Sequence, residues 1–358
     1  MRENVLITTG GSGGHVIPAT VFYDQLKTDF DVILTTDIRG CKFLNLKKYK
    51  ANIINTPQFT SNLFLLPFNL FILFFLTLKS VFFLKKNNIS TLISTGGYMS
   101  LPIFFAAKIF NIKIYLYEPN MVLGRANKFF LKHSKKVFCY SSNILNFSKK
   151  YKNKISVINP LLRKNFYSVK FSKNNEIGDK VNLLIIGGSQ GARLFETEIK
   201  KTVFDLSKKY KLNIYQQTSD ENKKNLEEFY KKNNISYSLF SFEENFADFV
   251  KDVNLCITRA GASTLSELTF LNIPYIAVPY ALAKDDHQFQ NALFYKNKDC
   301  CWMIDEKELK NNELSKYIIN IVENKQDYLN KKKNMKEFSY QNTWNNINQK
   351  LKGIINEN

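Results

Sequence analysis

Twice in this chain a short apolar run feeds directly into a glycine-rich turn that opens a helical stretch. Val5-Leu6-Ile7 leads into Thr8-Thr9-Gly10-Gly11-Ser12-Gly13-Gly14-His15, and about halfway along Val181-Asn182-Leu183-Leu184-Ile185-Ile186 leads into Gly187-Gly188-Ser189-Gln190-Gly191-Ala192-Arg193. Glycines between a strand and a helix let the backbone approach a phosphate, and the helix N-terminus supplies unpaired N–H groups and partial positive charge. Two such openings predict an α/β chain made of two Rossmann-like halves. For either turn alone, a tight βα connection that holds no ligand is the plain alternative. Neither satisfies the dinucleotide fingerprint: Val16 stands where the first needs its third glycine, and in the second Gly and Ser fall out of register. Neither carries the Lys-Ser/Thr ending of a Walker loop, so NAD and ATP are both disfavoured. His15, a titratable imidazole inside the first turn, marks that turn as a candidate catalytic site.

At 358 residues the chain suits two domains of ordinary size, and 44% hydrophobic with 14% aromatic residues is the composition of a globular protein. Cys41, Cys139, Cys256, Cys300 and Cys301 are odd in number and lack Cys-x-x-Cys spacing, which predicts neither a disulfide framework nor a zinc site and points to a reducing compartment. Met1-Arg2-Glu3-Asn4 runs straight into the first strand, with no secretory h-region. The formal net charge is +20. Nucleic-acid binding would require a recognisable module, and none is present. Attraction to an anionic membrane surface and a surface enriched in lysine by AT-rich coding both stay open.

Along residues 1–160 the pattern alternates: strands near 5–7, 32–35, 53–54, 91–94, 113–117 and 136–139, with helices near 19–27 and 101–110. Such alternation predicts a parallel sheet covered by helices on both faces. Residues 161–180 turn polar and irregular and read as a linker, and 181–340 repeat the plan with strands near 181–186, 212–216, 236–239, 255–258 and 275–278. Residues 341–358 read as a helical tail in a Lys- and Asn-rich final segment with no core-like run. Residues 63–84 are strongly apolar and nearly long enough to span a bilayer, yet Pro67, Asn69, Thr77, Lys79 and Ser80 interrupt them where the pattern needs one helix of the first domain. A span, a core helix and a helix with an outward apolar face that dips into lipid are the three readings. The last is preferred, with Lys79, Lys85 and Lys86 placed for anionic headgroups.

Four further clusters follow strands, where open α/β sheets bind ligands. They are Thr95-Gly96-Gly97-Tyr98-Met99-Ser100; Glu118-Pro119-Asn120; Arg259-Ala260-Gly261-Ala262-Ser263-Thr264-Leu265-Ser266-Glu267; and, beyond Pro279-Tyr280, Lys284-Asp285-Asp286-His287-Gln288-Phe289-Gln290-Asn291-Ala292. Together with the two glycine turns, this ordered set resembles the MurG family, GT-B glycosyltransferases that move N-acetylglucosamine from UDP-GlcNAc to a lipid-linked N-acetylmuramoyl-pentapeptide. The resemblance covers almost the whole chain. It implies two Rossmann-like domains facing a cleft, an acceptor- and membrane-associated domain over 1–160 and a UDP-sugar-binding domain over 181–340.

Residue by residue, the resemblance makes Glu267 the carboxylate for the ribose hydroxyls and Ala262, Ser263 and Thr264 the helix start that meets the diphosphate, with Leu265 and Ser266 continuing that segment. Ser189 resembles a hydroxyl on phosphate, and Gln288 and Asn120 resemble contacts to the GlcNAc hydroxyls. Ser12, Gly13, Gly14 and Glu243 fall among the implied UDP-GlcNAc contacts, and Gly96, Gly97 and Tyr98 among those for the acceptor or a diphosphate. Two positions depart from the family pattern: Pro119 replaces the middle residue of Glu-Gln-Asn, and Asn159-Pro160-Leu161-Leu162-Arg163 is one residue longer than the family's hinge motif, which displaces Arg163, the uracil-side candidate.

The chemistry a nucleotide sugar demands agrees with these roles: helix N-termini for phosphates, a carboxylate for a diol and amides for a sugar ring. Glu267, three residues beyond Thr264, also fits a capping box, and Arg259 fits either a phosphate or a neighbouring carboxylate. Asp285, Asp286 and His287 are adjacent on one short turn and cannot converge on an ion, so no metal is implied, and helix N-termini suffice for the diphosphate without a cofactor. The implied reaction is inverting attack of the muramoyl C4 hydroxyl on the anomeric carbon. His15 and Glu118 are the two candidate bases. The resemblance further implies a peripheral protein on the cytoplasmic face of the bacterial inner membrane, with no nucleic-acid partner. The rivals are another GT-B enzyme that glycosylates a different lipid and a non-catalytic nucleotide-sugar-binding membrane protein.

Overall fold

A computed structural model of the chain describes residues 2–56, 64, 66–169, 176–309 and 313–357. It divides into two compact units, residues 1–164 with 343–358, and residues 165–342.

The first unit is built on seven parallel strands: β1 (Asn4–Thr8), β2 (Asp31–Thr36), β3 (Ala51–Ile53), β4 (Ile89–Ser94), β5 (Lys113–Glu118), β6 (Lys136–Cys139) and β7 (Ile155–Val157). Their order in the sheet is β3-β2-β1-β4-β5-β6-β7. Leu6, Ile7, Leu34, Leu92, Ile93, Leu116 and Phe138 are all fully buried, because both faces of a parallel sheet are covered and consecutive residues must be apolar. Helices α1 (Gly13–Leu26), α2 (Ile38–Cys41), α3 (Leu66–Lys86), α4 (Leu101–Ile109) and α5 (Arg125–Phe130) connect them. Strand order reverses between β1 and β4, so the turns after these two strands flank the crevice where such sheets bind ligands.

The second unit repeats the plan with β8 (Lys180–Ile186), β9 (Lys211–Gln217), β10 (Ser236–Phe240), β11 (Leu255–Thr258), β12 (Tyr275–Ala277) and β13 (Trp302–Met303), in the order β10-β9-β8-β11-β12-β13. Here the reversal lies between β8 and β11. Helices α6 (Gly188–Ser207), α7 (Asp220–Lys232), α8 (Phe246–Phe249), α9 (Ala262–Phe270), α10 (His287–Lys296), α11 (Glu313–Glu323) and α12 (Lys325–Ser339) complete it. Its core runs through Leu183, Ile185, Phe195, Val203, Ile214, Ile257, Ile276 and Ile318.

Three features depart from the sequence reading. Two short edge strands, β7 and β13, join the sheets without an apolar run long enough to announce them. The tail expected over 341–358 is helical, as α13 (Trp344–Asn356), but it packs on the first unit, which the sequence reading did not foresee. Ile347, Leu351 and Ile355 recur every four residues and are buried, Tyr115 donates its hydroxyl hydrogen bond toward the carbonyls of Ile354 and Ile355, and Asn348 Nδ2 donates to Gln25 O at 2.5 Å. A single helical stripe of three residues suffices for docking where composition shows only Lys and Asn.

The third feature is α3. It buries Asn69, Ser80 and Leu84 and turns Phe68, Phe71, Phe74, Phe75 and Phe82 to solvent, Phe82 at 71% exposure. The core-helix alternative is thereby overturned. Thr77 and Ser80 satisfy their hydroxyls on the carbonyls of Leu73 and Leu76, at 2.8 and 2.7 Å. By length and composition α3 could cross a membrane. Yet β4, which follows it, pairs with β1, and β3, which precedes it, pairs with β2, so both ends of α3 lead into one sheet. Residues 63 and 65, part of the same apolar stretch, lie outside the described residues.

Candidate active site

In the first unit the turn after β1 and the turn after β4 meet at His15. Gly11 adopts φ +81°, Ser12 is the N-cap of α1 without a side-chain cap bond, and His15 falls in the helix's first turn, half-buried. Its Nδ1 lies 2.7 Å from Thr95 O. A carbonyl only accepts, so Nδ1 carries the proton and donates, and Nε2 of the neutral ring holds the lone pair. Gly96, at φ +102°, closes over the ring: a Cβ there would stand 3.1 Å from His15 Cε1. Gly97 (φ +87°) then opens the short turn that carries half-buried Tyr98. The N–H groups of Gly13 and Gly14 precede the first intrahelical bonds, which begin with His15 N and Val16 N to Ser12 O, so they face outward beside the exposed Ser12 and Gly14.

The turn after β2 joins this cluster, which sequence reading missed. Asp37, 3% exposed, accepts from Gly11 N and Gly40 N through Oδ1, both at 2.8 Å, and from Arg39 Nε and Nη2 through Oδ2, at 2.9 and 2.6 Å. Burial pushes this carboxyl's pKa up, but the Gly11 N–H, the Arg39 guanidinium and the Gly40 N–H together outweigh it and hold the pKa below the ordinary aspartate value. The Arg39 guanidinium lies 5.1 Å from the centroid of the Tyr98 ring. The available signal was an aspartate just past the carboxyl end of β2, on the side of the sheet where ligands bind.

Glu118, at the end of β5, is 2% exposed and takes four donors: Asn120 N and Nδ2 on Oε1, Gly124 N and Asn127 Nδ2 on Oε2, at 2.7–3.2 Å. Its carboxylate organises the 119–127 loop. Asn120, named from the sequence, and Asn127, missed by it, are both tied to that carboxylate, and Asn127 also donates to Tyr117 O at 3.0 Å. Arg163 is half-buried, at the last positions of this unit before the boundary.

In the second unit α9 begins at Ala262 with Gly261 as N-cap. Leu265 N bonds Gly261 O, so the N–H groups of Ala262, Ser263 and Thr264 have no intrahelical acceptor and form the positive end of the helix. Leu265 and Ser266 are buried, and Ser266 Oγ donates to Ser263 O at 2.8 Å. Glu267, three and four residues beyond Thr264 and Ser263, shares their helix face and is half-buried. Thr264 lies inside the helix rather than at its cap, and the capping-box alternative for Glu267 falls with it.

Gln288 Oε1 accepts from Ala260 N at 3.2 Å and Tyr280 N at 3.0 Å, and Asn291 Nδ2 donates to Ala260 O at 3.1 Å, so α10 grips the peptide just before the α9 cap. Arg259, 5% exposed, pairs with Glu306 at 2.9 Å and lies over the Phe195 and Tyr280 rings, so of its two readings the structure shows the ion pair. Glu243 is half-buried in the loop after β10 and accepts from Asn245 N at 2.8 Å. The Ser189 side chain lies outside the described residues, although its backbone sits at the start of α6, beside the β8–β11 reversal. Among the described residues no group of three or more His, Cys, Asp or Glu is placed to hold a metal ion.

Residues 5–139 match the glycosyltransferase family 28 N-terminal domain and 182–347 match the glycosyltransferase family 28 C-terminal domain. A Pelagibacter ubique protein named UDP-N-acetylglucosamine–N-acetylmuramyl-(pentapeptide) pyrophosphoryl-undecaprenol N-acetylglucosamine transferase is 52% identical over 358 residues, the whole of both chains. The chain belongs to the MurG family. A Rickettsia felis protein of the same name is 33% identical over 332 residues, 90% of this chain and 91% of that one. The solved structure of Acinetobacter baumannii MurG shares the fold with a TM-score of 0.73 at 22% identity, over 93% of this chain and 95% of that one. For a MurG family member the two sheets just described are the two halves of a GT-B fold.

Proposed function

We propose that this chain transfers N-acetylglucosamine from UDP-GlcNAc to the C4 hydroxyl of undecaprenyl-diphospho-N-acetylmuramoyl-pentapeptide, the lipid I to lipid II step of peptidoglycan synthesis. The observation that carries this reading is full-length identity of 52% to a relative named for that transfer. His15 Nε2 is the base that removes the C4 hydroxyl proton as the oxygen attacks the anomeric carbon from the face opposite the leaving group, and its tautomer suits the task. The C–O bond to UDP breaks with inversion, and the released diphosphate charge meets the N–H groups of Ala262, Ser263 and Thr264. Glu267 accepts from the ribose hydroxyls, and Gln288 and Asn120 serve the sugar. Glu118, saturated by four donors, holds the loop that carries Asn120 and is assigned no proton transfer.

The acceptor's polyprenyl chain stays in the bilayer, so the enzyme must work at its surface. The outward phenylalanines of α3, with Lys79, Lys85 and Lys86 exposed on the same helix, support peripheral docking on the cytoplasmic leaflet. The deciding assay combines purified chain, UDP-GlcNAc and the lipid-linked muramoyl acceptor and follows UDP release. Acceptor-dependent release is the expected result. Preference for UDP-glucose would favour another glycolipid enzyme, and donor binding without turnover would favour a non-catalytic protein.

A further inference from the structure

Three turns of the first unit, after β1, β2 and β4, close into a ring of contacts that no single motif predicts. Gly11 N bonds Asp37, Asp37 bonds Arg39, Arg39 lies over Tyr98, and the same 95–98 turn returns to α1 through Thr95 O and the His15 imidazole. The fit around the carboxylate is tight: a Cβ on Gly10 would approach Asp37 Oδ1 to 2.6 Å, and one on Gly40 would come within 3.1 Å of the Gly10 Cα. Thr56 Oγ1 braces the same turn by donating to Met99 O at 3.1 Å.

We infer that Asp37 and Arg39 are a positioning pair for the acceptor side of the reaction, a role that rests on the transfer proposed above. Asp37 divides its two oxygens by task. Oδ1 fixes the glycine turn that leads to His15, and Oδ2 takes two N–H donors of one guanidinium, which sets where that planar cation stands against Tyr98. Arg39 keeps two-fifths of its side chain exposed while its carboxylate partner is buried, so the pair offers an oriented cation at the surface of the cluster. An anionic group of the acceptor is the chemistry that such a cation meets.

The division of labour makes the inference separable from a general role in folding. In Asp37→Asn the retained oxygen still accepts from Gly11 and Gly40, while an amide replaces the oxygen that orients Arg39. Arg39→Gln removes the other end of the same link. Each variant is expected to raise the acceptor KM about tenfold, with the donor KM and the thermal midpoint near wild type. The double variant is expected to be no worse than either single one, because one link is cut in all three. An acceptor KM within twofold of wild type in Asp37→Asn, or effects of the two changes that multiply, would overturn the pairing. A fall in kcat alone, accompanied by a lowered thermal midpoint, would overturn it in favour of a structural role. Wild-type protein assayed alongside separates the two claims: if it fails to glycosylate the acceptor, the proposed transfer is wrong, whereas the positioning inference is judged only against a working wild type.

Discussion

His15 owes its usefulness as a base to a carbonyl, because Thr95 O accepts the Nδ1 proton and leaves Nε2 unprotonated in the neutral ring. His15→Ala should lower kcat by about 10²–10⁴-fold, the range for losing a general base, with little change in donor affinity. A variant that keeps more than a tenth of wild-type kcat would show that another group takes the proton. Glu267 presents the complementary case. It sits one turn beyond the α9 start rather than at its cap, so Glu267→Ala should weaken UDP-GlcNAc binding by about 1.5–3 kcal/mol, the scale of a charged hydrogen bond, and leave the melting temperature nearly unchanged. Calorimetric titration beside thermal unfolding tests both halves of that statement, and lost stability with intact affinity would return Glu267 to the helix.

Among the elements, α3 inverts the usual arrangement, with Asn69 and Ser80 inward and a row of phenylalanines outward. Exposed apolar surface of that extent marks a contact with something apolar. Wild-type protein should co-sediment with anionic liposomes, and Phe71→Ser with Phe75→Ser and Phe82→Ser should pellet far less. Each lysine near an anionic surface contributes about 1 kcal/mol and is screened by salt, so raising ionic strength should remove part of the binding and leave the apolar part. Equal pelleting of wild type and variant would take α3 away from the interface, and wild-type protein released only by detergent would argue for a span. The apolar stretch was legible in the sequence; which face turned outward was not, because a helix that is apolar nearly all round carries no phase information.

On the scale of the whole molecule, the chain closes on itself through α13, whose Ile347, Leu351 and Ile355 are buried in the first unit although the intervening sequence belongs to the second. Leu351→Ala should cost about 2–5 kcal/mol, the usual range for a fully buried leucine, and should shift urea unfolding accordingly. A loss under 1 kcal/mol would mean that α13 is dispensable to the unit it covers. The sequence alone determined the two-sheet α/β plan, because a parallel strand buried on both faces must be written as a continuous apolar run and a βα turn near a phosphate must be written in glycine. Those are local requirements, so Val5-Leu6-Ile7, Gly10-Gly11 and the helix start at Ala262 could be read in place. Only the tertiary structure decided which polar groups meet: that Asp37 holds Gly11 and Arg39, that Glu118 is spent on its own loop, that Arg259 finds Glu306, and that a Lys- and Asn-rich last helix has a home. Such partners lie tens to hundreds of residues apart or depend on a single hydrogen-bonding atom, and no periodicity or composition encodes them; they exist only once the backbone has brought strand ends to one edge of a sheet.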